Sequence, residues 1–290
     1  MRALQADRVG LGWRGELAAS IFEAIDSIDV LEVIAEDWVH AGRRESAALR
    51  ELALARPVLL HGVSLGLASC EQVDNARLTR LARLVGRVRP EAWSEHLAYV
   101  RAGGVEIGHL AAPPRTHANV RGALRNIERA RAAVGTLPIH ENIATLVDPP
   151  GGTLDEPSWT RAITGASGAP MLLDLHNLYA NALNFGRDPR DLMRAMPLER
   201  VSTVHLSGGR WISREAGRPR LLDDHLHDVP DPVYGLLETL AASVGQPLTV
   251  IIERDGNFPA FASMLAEIRR AREALASGRE AAAQSHRQAA

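Results

Sequence analysis

Short apolar runs alternate along the chain with longer amphipathic stretches. The apolar runs are Arg8–Trp13, Asp29–Glu36, Pro57–Val63, Ala92–Leu97, Leu137–Asn142, Pro170–Asp174, Val201–Leu206 and Leu248–Glu253. Several are nearly continuous aliphatic segments, such as PVLLHGV, PMLLDLH and LTVIIE, the pattern of parallel strands covered on both faces. Between them, Gly15–Ser27, Arg44–Ala55, Glu71–Arg87, Thr116–Val134, Glu156–Thr164, Pro189–Met196, Asp231–Ser243 and Pro259–Ala274 place apolar residues at helical spacing. Asp188-Pro189 and Asp231-Pro232 read as helix starts, a capping residue followed by proline in the first turn. Eight strands alternating with eight helices predict an α/β fold, a single (β/α)8 TIM barrel over residues 1–276. A doubly wound open sheet is the alternative, but the GxGxxG turn it would carry after its first strand is missing. Residues 277–290, SGREAAAQSHRQAA, are small and polar and are expected to form a disordered tail.

Ionisable residues interrupt the apolar pattern at the C-terminal ends of the strands. The third strand ends in His61, the fourth in Glu95-His96 and the fifth in His140-Glu141-Asn142. The sixth ends in Asp174, followed by His176 and Asn177; the seventh ends in His205 and the eighth in Glu253. The connection after the seventh adds Asp223-Asp224-His225, with His227 close behind. In a parallel barrel all these ends surround one mouth, the place where such folds build sites. Singly, His61 or His205 reads as a hydrogen-bonded core histidine. Jointly, so many buried ionisable groups need a countercharge, and a bound cation supplies it. Imidazole and carboxylate without thiolate suit iron, zinc or manganese. Strand alternation separates His96 from Glu95 and Glu141 from His140 as the inward members, and puts Asp223 and His225 on one face.

Composition narrows the chemistry further. The chain has 290 residues, 46% hydrophobic and 23% charged, with a formal net charge of -2, so no basic face for nucleic acid is indicated. All 33 basic residues are arginine, which excludes Schiff-base lysines and Walker-type phosphate binding. The one cysteine, Cys70, excludes a disulfide framework and a cysteine zinc knuckle. Neither a signal-peptide pattern nor a membrane-length apolar run is present, so a cytoplasmic protein without membrane contact is expected. The GxSxG elbow of a serine hydrolase is absent. A glycosidase pair such as Glu141 and Glu253 would leave the histidines unexplained.

The ordered set His61-Gly62-Val63-Ser64-Leu65, Ser94-Glu95-His96-Leu97, Glu141-Asn142, Leu173-Asp174 with Asn177, His205-Leu206, Asp223-Asp224-His225 and Val229-Pro230-Asp231-Pro232-Val233 resembles the DUF692 family. These are multinuclear non-haem iron-dependent oxidative enzymes that include the methanobactin-maturing oxidase. The resemblance runs from about Val9 to Arg272. The same order is similar to the wider xylose-isomerase-like superfamily, including trinuclear zinc endonucleases. The resemblance implies a metal set of His61, His96 and Glu141; a second of Glu141, Asp174, His205 and Glu253; and a third of Asp223, His225 and Asn177. Asparagine is a weaker ligand than histidine, so the third position is expected to be the labile one.

The resemblance further implies two or three irons of mixed Fe(II)/Fe(III) state, O2 as co-substrate, and oxidation of a residue, cysteine foremost, in a ribosomally made precursor peptide. No catalytic residue separate from the metal ligands is implied. A small partner protein that recognises the peptide leader is expected. His176, Arg210 and Trp211 are the candidate substrate contacts, and Leu65–Gln72, Ala102–Arg115 and Ser207–Leu222 the candidate contact loops. Glu95 and Asn142 are candidates for orienting the imidazoles. The alternative is a zinc- or manganese-dependent hydrolase or isomerase of the same superfamily.

Overall fold

The computed structural model describes residues 6–213 and 218–289. Its strands are β1 (Arg8–Gly12), β2 (Leu31–Ile34), β3 (Val58–Gly62), β4 (Ala92–His96), β5 (Tyr99–Ala102), β6 (Val105–Ala111), β7 (Ile139–Glu141), β8 (Met171–Asp174), β9 (Val201–Leu206), β10 (Gly209–Ile212), β11 (Arg220–Asp223) and β12 (Thr249–Ile252). Its helices are α1 (Ala18–Glu23), α2 (Arg43–Ala55), α3 (Asn75–Val88), α4 (His117–Val134), α5 (Glu156–Ser167), α6 (Leu175–Phe185), α7 (Pro189–Ala195), α8 (Asp231–Ser243) and α9 (Phe261–Ala289). Eight strands, all pairing in parallel, close a barrel in the order β1-β12-β9-β8-β7-β4-β3-β2. The fold is therefore a (β/α)8 TIM barrel.

Alternation along the strands divides two layers of core. Outward-facing Leu31, Val33, Val58, Leu60, Trp93, Leu173, Val204 and Val250 join the large apolar cluster shared with the helices. Inward-facing Val30, Leu59 and Ile251 form a small separate cluster with Ala92. Each of the three stands two residues before an inward ionisable group: Glu32, His61 and Glu253 respectively. The barrel thus holds an apolar plug with a polar layer above it.

The structure adds elements that apolar periodicity does not mark. The connections after β4 and β9 fold into antiparallel hairpins, β5–β6 and β10–β11. β6 and β10 have no buried residue, so they carry no apolar run. Helix α6 begins directly at the end of β8, with no intervening loop. Residues 214–217, which fall within one of the candidate contact loops, lie outside the described residues.

Residues 277–289 are helical, continuing α9, where composition suggests a disordered tail. Alanine-rich sequence has high helix propensity, and this stretch is also docked. A Cβ at Gly278 would lie 2.3 Å from the Glu238 carbonyl oxygen, so only glycine allows α9 to approach α8 so closely. Arg279 donates to both oxygens of Asp7, at 2.8 and 3.0 Å, and to the carbonyls of Ala241, Val244 and Gln246. We predict that Arg279→Ala lowers folding stability by about 1–3 kcal/mol. Urea denaturation measures this, and an unchanged midpoint would show that the end of α9 contributes nothing.

Candidate metal centre

The polar layer is built by the ends of strands on every side of the barrel. His61 closes β3, His96 closes β4, Glu141 closes β7, Asp174 closes β8, His205 lies near the end of β9, and Glu253 follows β12. Register sets them level: His96 pairs beside Glu141, and Asp174 beside His205. Each of the six is at most 7% exposed.

Glu141 is the hub. His61 Nε2 and His96 Nε2 approach its Oε2 at 3.4 and 3.2 Å, and His205 Nδ1 stands 3.3 Å from its Oε1. His205 Nδ1 is also 3.1 Å from Glu253 Oε2, while its Nε2 lies 2.8 Å from Glu32 Oε1. His225 enters from beyond β11, with Nδ1 3.4 Å from Glu253 Oε2 and Nε2 2.8 Å from Asp223 Oδ2. It holds a left-handed backbone, φ 53°, which is uncommon away from glycine and fits a ring clamped between acids.

Outer contacts fix the rings. Ser94 Oγ holds His61 Nδ1 at 2.8 Å, and the Gly62 carbonyl takes His96 Nδ1 at 3.2 Å, so both Nε2 atoms face inward. Asp174 caps α6 by accepting from the Asn177 amide through Oδ1, which leaves Oδ2 for the cluster. Asn142 and the Asp174 backbone exchange two hydrogen bonds, of 2.9 and 3.0 Å, and tie β8 to the end of β7.

Several of these atoms have no partner in hydrogen-bond geometry: Glu32 Oε2, Glu141 Oε2, Asp174 Oδ2, Glu253 Oε2, Asn177 Oδ1 and both nitrogens of His205. All are buried, where an unpaired polar atom is costly. A cation bound at about 2.0–2.2 Å sets neighbouring ligand atoms roughly 3–3.5 Å apart, close to the separations found here. Four donor sets have their ligand atoms within 4.8 Å of one another: His61, His96 and Glu141; Glu141, Asp174 and His205; Asp174, His225 and Glu253; and Glu32, His61 and His205. The residues present fit metal ions.

Not every expected site residue joins the cluster. Asp223 stands one contact out, bridging His225 to His176, whose Nδ1 is 2.7 Å from Asp223 Oδ1. His176 Nε2 is buried and unpartnered. The Asn177 side chain donates to the Asn142 carbonyl, leaving its oxygen free. Arg210 and Trp211 lie on the exposed β10–β11 hairpin, with Arg210 held by Asp224 at 3.1 Å. Glu95 accepts from the amides of Leu65 and His96 and its Oε1 stands 3.7 Å from His96 Nδ1, so it shapes the β3 connection and lies against that imidazole. Asn142 likewise holds backbone. Glu32 was not anticipated, because it lies inside an apolar run; a charged residue in mid-strand was the available signal.

Without a cation, protons supply the countercharge. Burial opposes charge on His96, yet Glu141, Glu95 and Glu253 outweigh it and hold its pKa up at about 9. Burial likewise opposes charge on His205, but Glu32, Glu253 and Glu141 raise it well above the ordinary value. Burial, joined by Asp223 and Glu141, pushes Asp174 well up. Burial alone pushes the outward-facing His140 down to about 3, so it stays neutral.

A family model described as RiPP precursor modification enzyme MbnB/TglH/ChrH matches residues 8–276. The chain belongs to this family. UPF0276 proteins resemble it over most of its length. The one from Streptomyces avermitilis is 35% identical over 266 residues, 89% of this chain. The chain spans only 53% of that relative's length. The UPF0276 protein of Caulobacter vibrioides is 34% identical, covering 88% of this chain and 90% of its own. Among solved structures, a xylose isomerase domain protein from Planctomyces limnophilus aligns over 95% of this chain and 99% of its own, at TM-score 0.61 and 15% identity. An endonuclease IV from Thermus thermophilus covers 92% of this chain and 99% of its own, at TM-score 0.57 and 18% identity. These structures share the xylose-isomerase-like barrel.

Metal ions bind neutral imidazole, so a cation must displace the His96 proton. That proton is held until pH rises through about 9. We therefore expect the apparent affinity of metal-free protein for Zn(II) to increase with pH up to that value, with release of protons. Calorimetry in two buffers of different protonation enthalpy reads the release directly; binding without it would contradict this account.

Proposed function

We propose that this family member is an iron- and O2-dependent oxidase that modifies a residue, cysteine foremost, of a ribosomally made precursor peptide. Family membership supports the peptide, and the unpartnered buried donors support the metal. The observation that carries the metal is the thiolate-free set of imidazoles and carboxylates around Glu141, donors that iron, zinc and manganese all accept, and the resemblance to iron-dependent oxidases favours iron. His61, His96 and Glu141 would hold one ion; Glu141, Asp174, His205 and Glu253 a second; Asp223, His225 and Asn177 a third. Mixed Fe(II)/Fe(III) iron, when bound, supplies one-electron chemistry with O2 and a binding point for a thiolate.

The chain's own residues prepare that site. The Gly62 carbonyl, an acceptor only, fixes the Nδ1–H tautomer of His96, and the Ser94 hydroxyl holds the His61 ring by its Nδ1. Val30, Leu59 and Ile251 seal the barrel below and exclude water from that side. The β10–β11 hairpin stands beside the mouth, with Asp223 at its base and exposed Trp211 further along, and offers a peptide-contacting wall with Arg210. The buried, unpartnered Nε2 of His176 is the further candidate for substrate contact. A leader-recognising partner protein and a cytoplasmic setting complete the proposal. Among the described residues, no helix is long and apolar enough to cross a membrane.

The test is co-expression with candidate precursor peptides, short cysteine-containing reading frames sought in the gene's neighbourhood, followed by intact-peptide mass. The expected result is a defined mass change that requires O2, is lost in His205→Ala, and accompanies iron in anaerobically purified protein. Stoichiometric zinc with no iron, and no O2 uptake with that peptide, would favour the hydrolase or isomerase alternative and defeat the proposal.

A further inference from the structure

Beside the mouth, the end of α6 and the β10–β11 hairpin enclose a second concave surface. It is a groove of about 870 Å³ whose walls include Leu183, Phe185, Trp211, Arg218 and Arg220. None of these is a metal donor. Among the described residues every charge lining the groove is positive, although the chain as a whole carries a formal net charge of -2. Arg220 is the telling one. Its guanidinium lies over the Phe185 ring, 5.4 Å from the centroid, and its Nη1 is buried without a hydrogen-bond partner. Arg210, on the same hairpin, is by contrast paired with Asp224.

A guanidinium nitrogen shut off from water without an acceptor is costly, and a carboxylate brought from outside relieves it with a charge-assisted hydrogen bond. Phe185 and the exposed Trp211 supply ring faces for whatever carries that carboxylate. The groove is preformed. Asn184 exchanges two hydrogen bonds with the backbone of Leu221, next to Arg220, so strand and helix keep their spacing. Its size is that of a ligand pocket and admits a few side chains. β11 leads from Arg220 to Asp223, a run of about 10 Å, and the His225 ring then lies between Asp223 and Glu253. We propose that this groove seats an Asp or Glu side chain of the precursor peptide, beside an aromatic or aliphatic neighbour, while the residue to be modified lies at the metal centre. An extended peptide covers that separation with roughly five residues, which sets the spacing between its acidic residue and the modified one. This subsite deepens the peptide reading of the proposed function and rests on it, but not on iron or O2.

The experiment is calorimetric titration with two synthetic peptides, Gly-Phe-Glu-Phe-Gly and Gly-Phe-Gln-Phe-Gly, each acetylated and amidated so that the Glu side chain is the only charge. Wild type is compared with Arg220→Met, which keeps the apolar length of the side chain, and circular dichroism checks folding. The expected result is that wild type binds the Glu peptide more than about tenfold tighter than the Gln peptide, and that Arg220→Met abolishes the preference. Equal affinity of wild type for the two peptides would overturn the groove assignment. So would binding of neither at millimolar concentration, or a preference that survives in folded Arg220→Met. Should Arg220→Met not fold, the wild-type preference decides alone. A retained preference without peptide oxidation would defeat the oxidase reading only. Oxidation of a precursor peptide with the same KM by wild type and Arg220→Met would overturn the groove and leave that reading standing.

Discussion

Charge buried inside a parallel barrel has to be balanced where it stands. Glu32, Glu141, Asp174 and Glu253 converge from four strands at or near the mouth, with almost no exposure. Arginine is plentiful in this chain, yet among the described residues only Arg14 comes within ion-pair reach of these four, and Asp255 takes its guanidinium. The countercharge is left to imidazoles and to whatever cation they share. Strand alternation turns that layer inward, the apolar plug closes it from beneath, and Ser94 and Gly62 hold two of its imidazoles in place.

The same layer ties distant parts of the chain together. Glu141 meets imidazoles from three other strands, so its carboxylate holds together opposite walls of the barrel. Asn142 locks β7 to β8 next door through a two-way exchange with the Asp174 backbone. Asn184 does the same for the hairpin, donating to and accepting from the Leu221 backbone, so β11 is fixed on α6. A family match over residues 8–276 and a barrel shared with sugar-isomerase-like structures agree with a scaffold whose chemistry is set at one rim.

Much of this was legible before any coordinates. Parallel strands buried on both faces leave a strong apolar signature, which is why all eight barrel strands show in the sequence. Residues at strand ends also show, because an ionisable group closing an apolar run is conspicuous. Glu32 escaped because it sits within such a run, where its inward direction depends on register with β1 and β3. Helix α6 escaped because it starts directly at the end of β8, with no turn residues to mark its beginning. The docking of residues 277–289 depends on the Asp7 carboxylate far away in sequence, which no local pattern reveals.

The absence of any loop between β8 and α6 makes one part of the rim stiff. Asp174 cannot move without uncapping a helix, so that quarter of the mouth has no slack. Beside it, β9 leads into the β10–β11 hairpin, where Asp223 is anchored at the base and Arg210 and Trp211 are exposed. Evolution, or a protein engineer, can therefore vary those two exposed positions with less disturbance than any change at the end of β8.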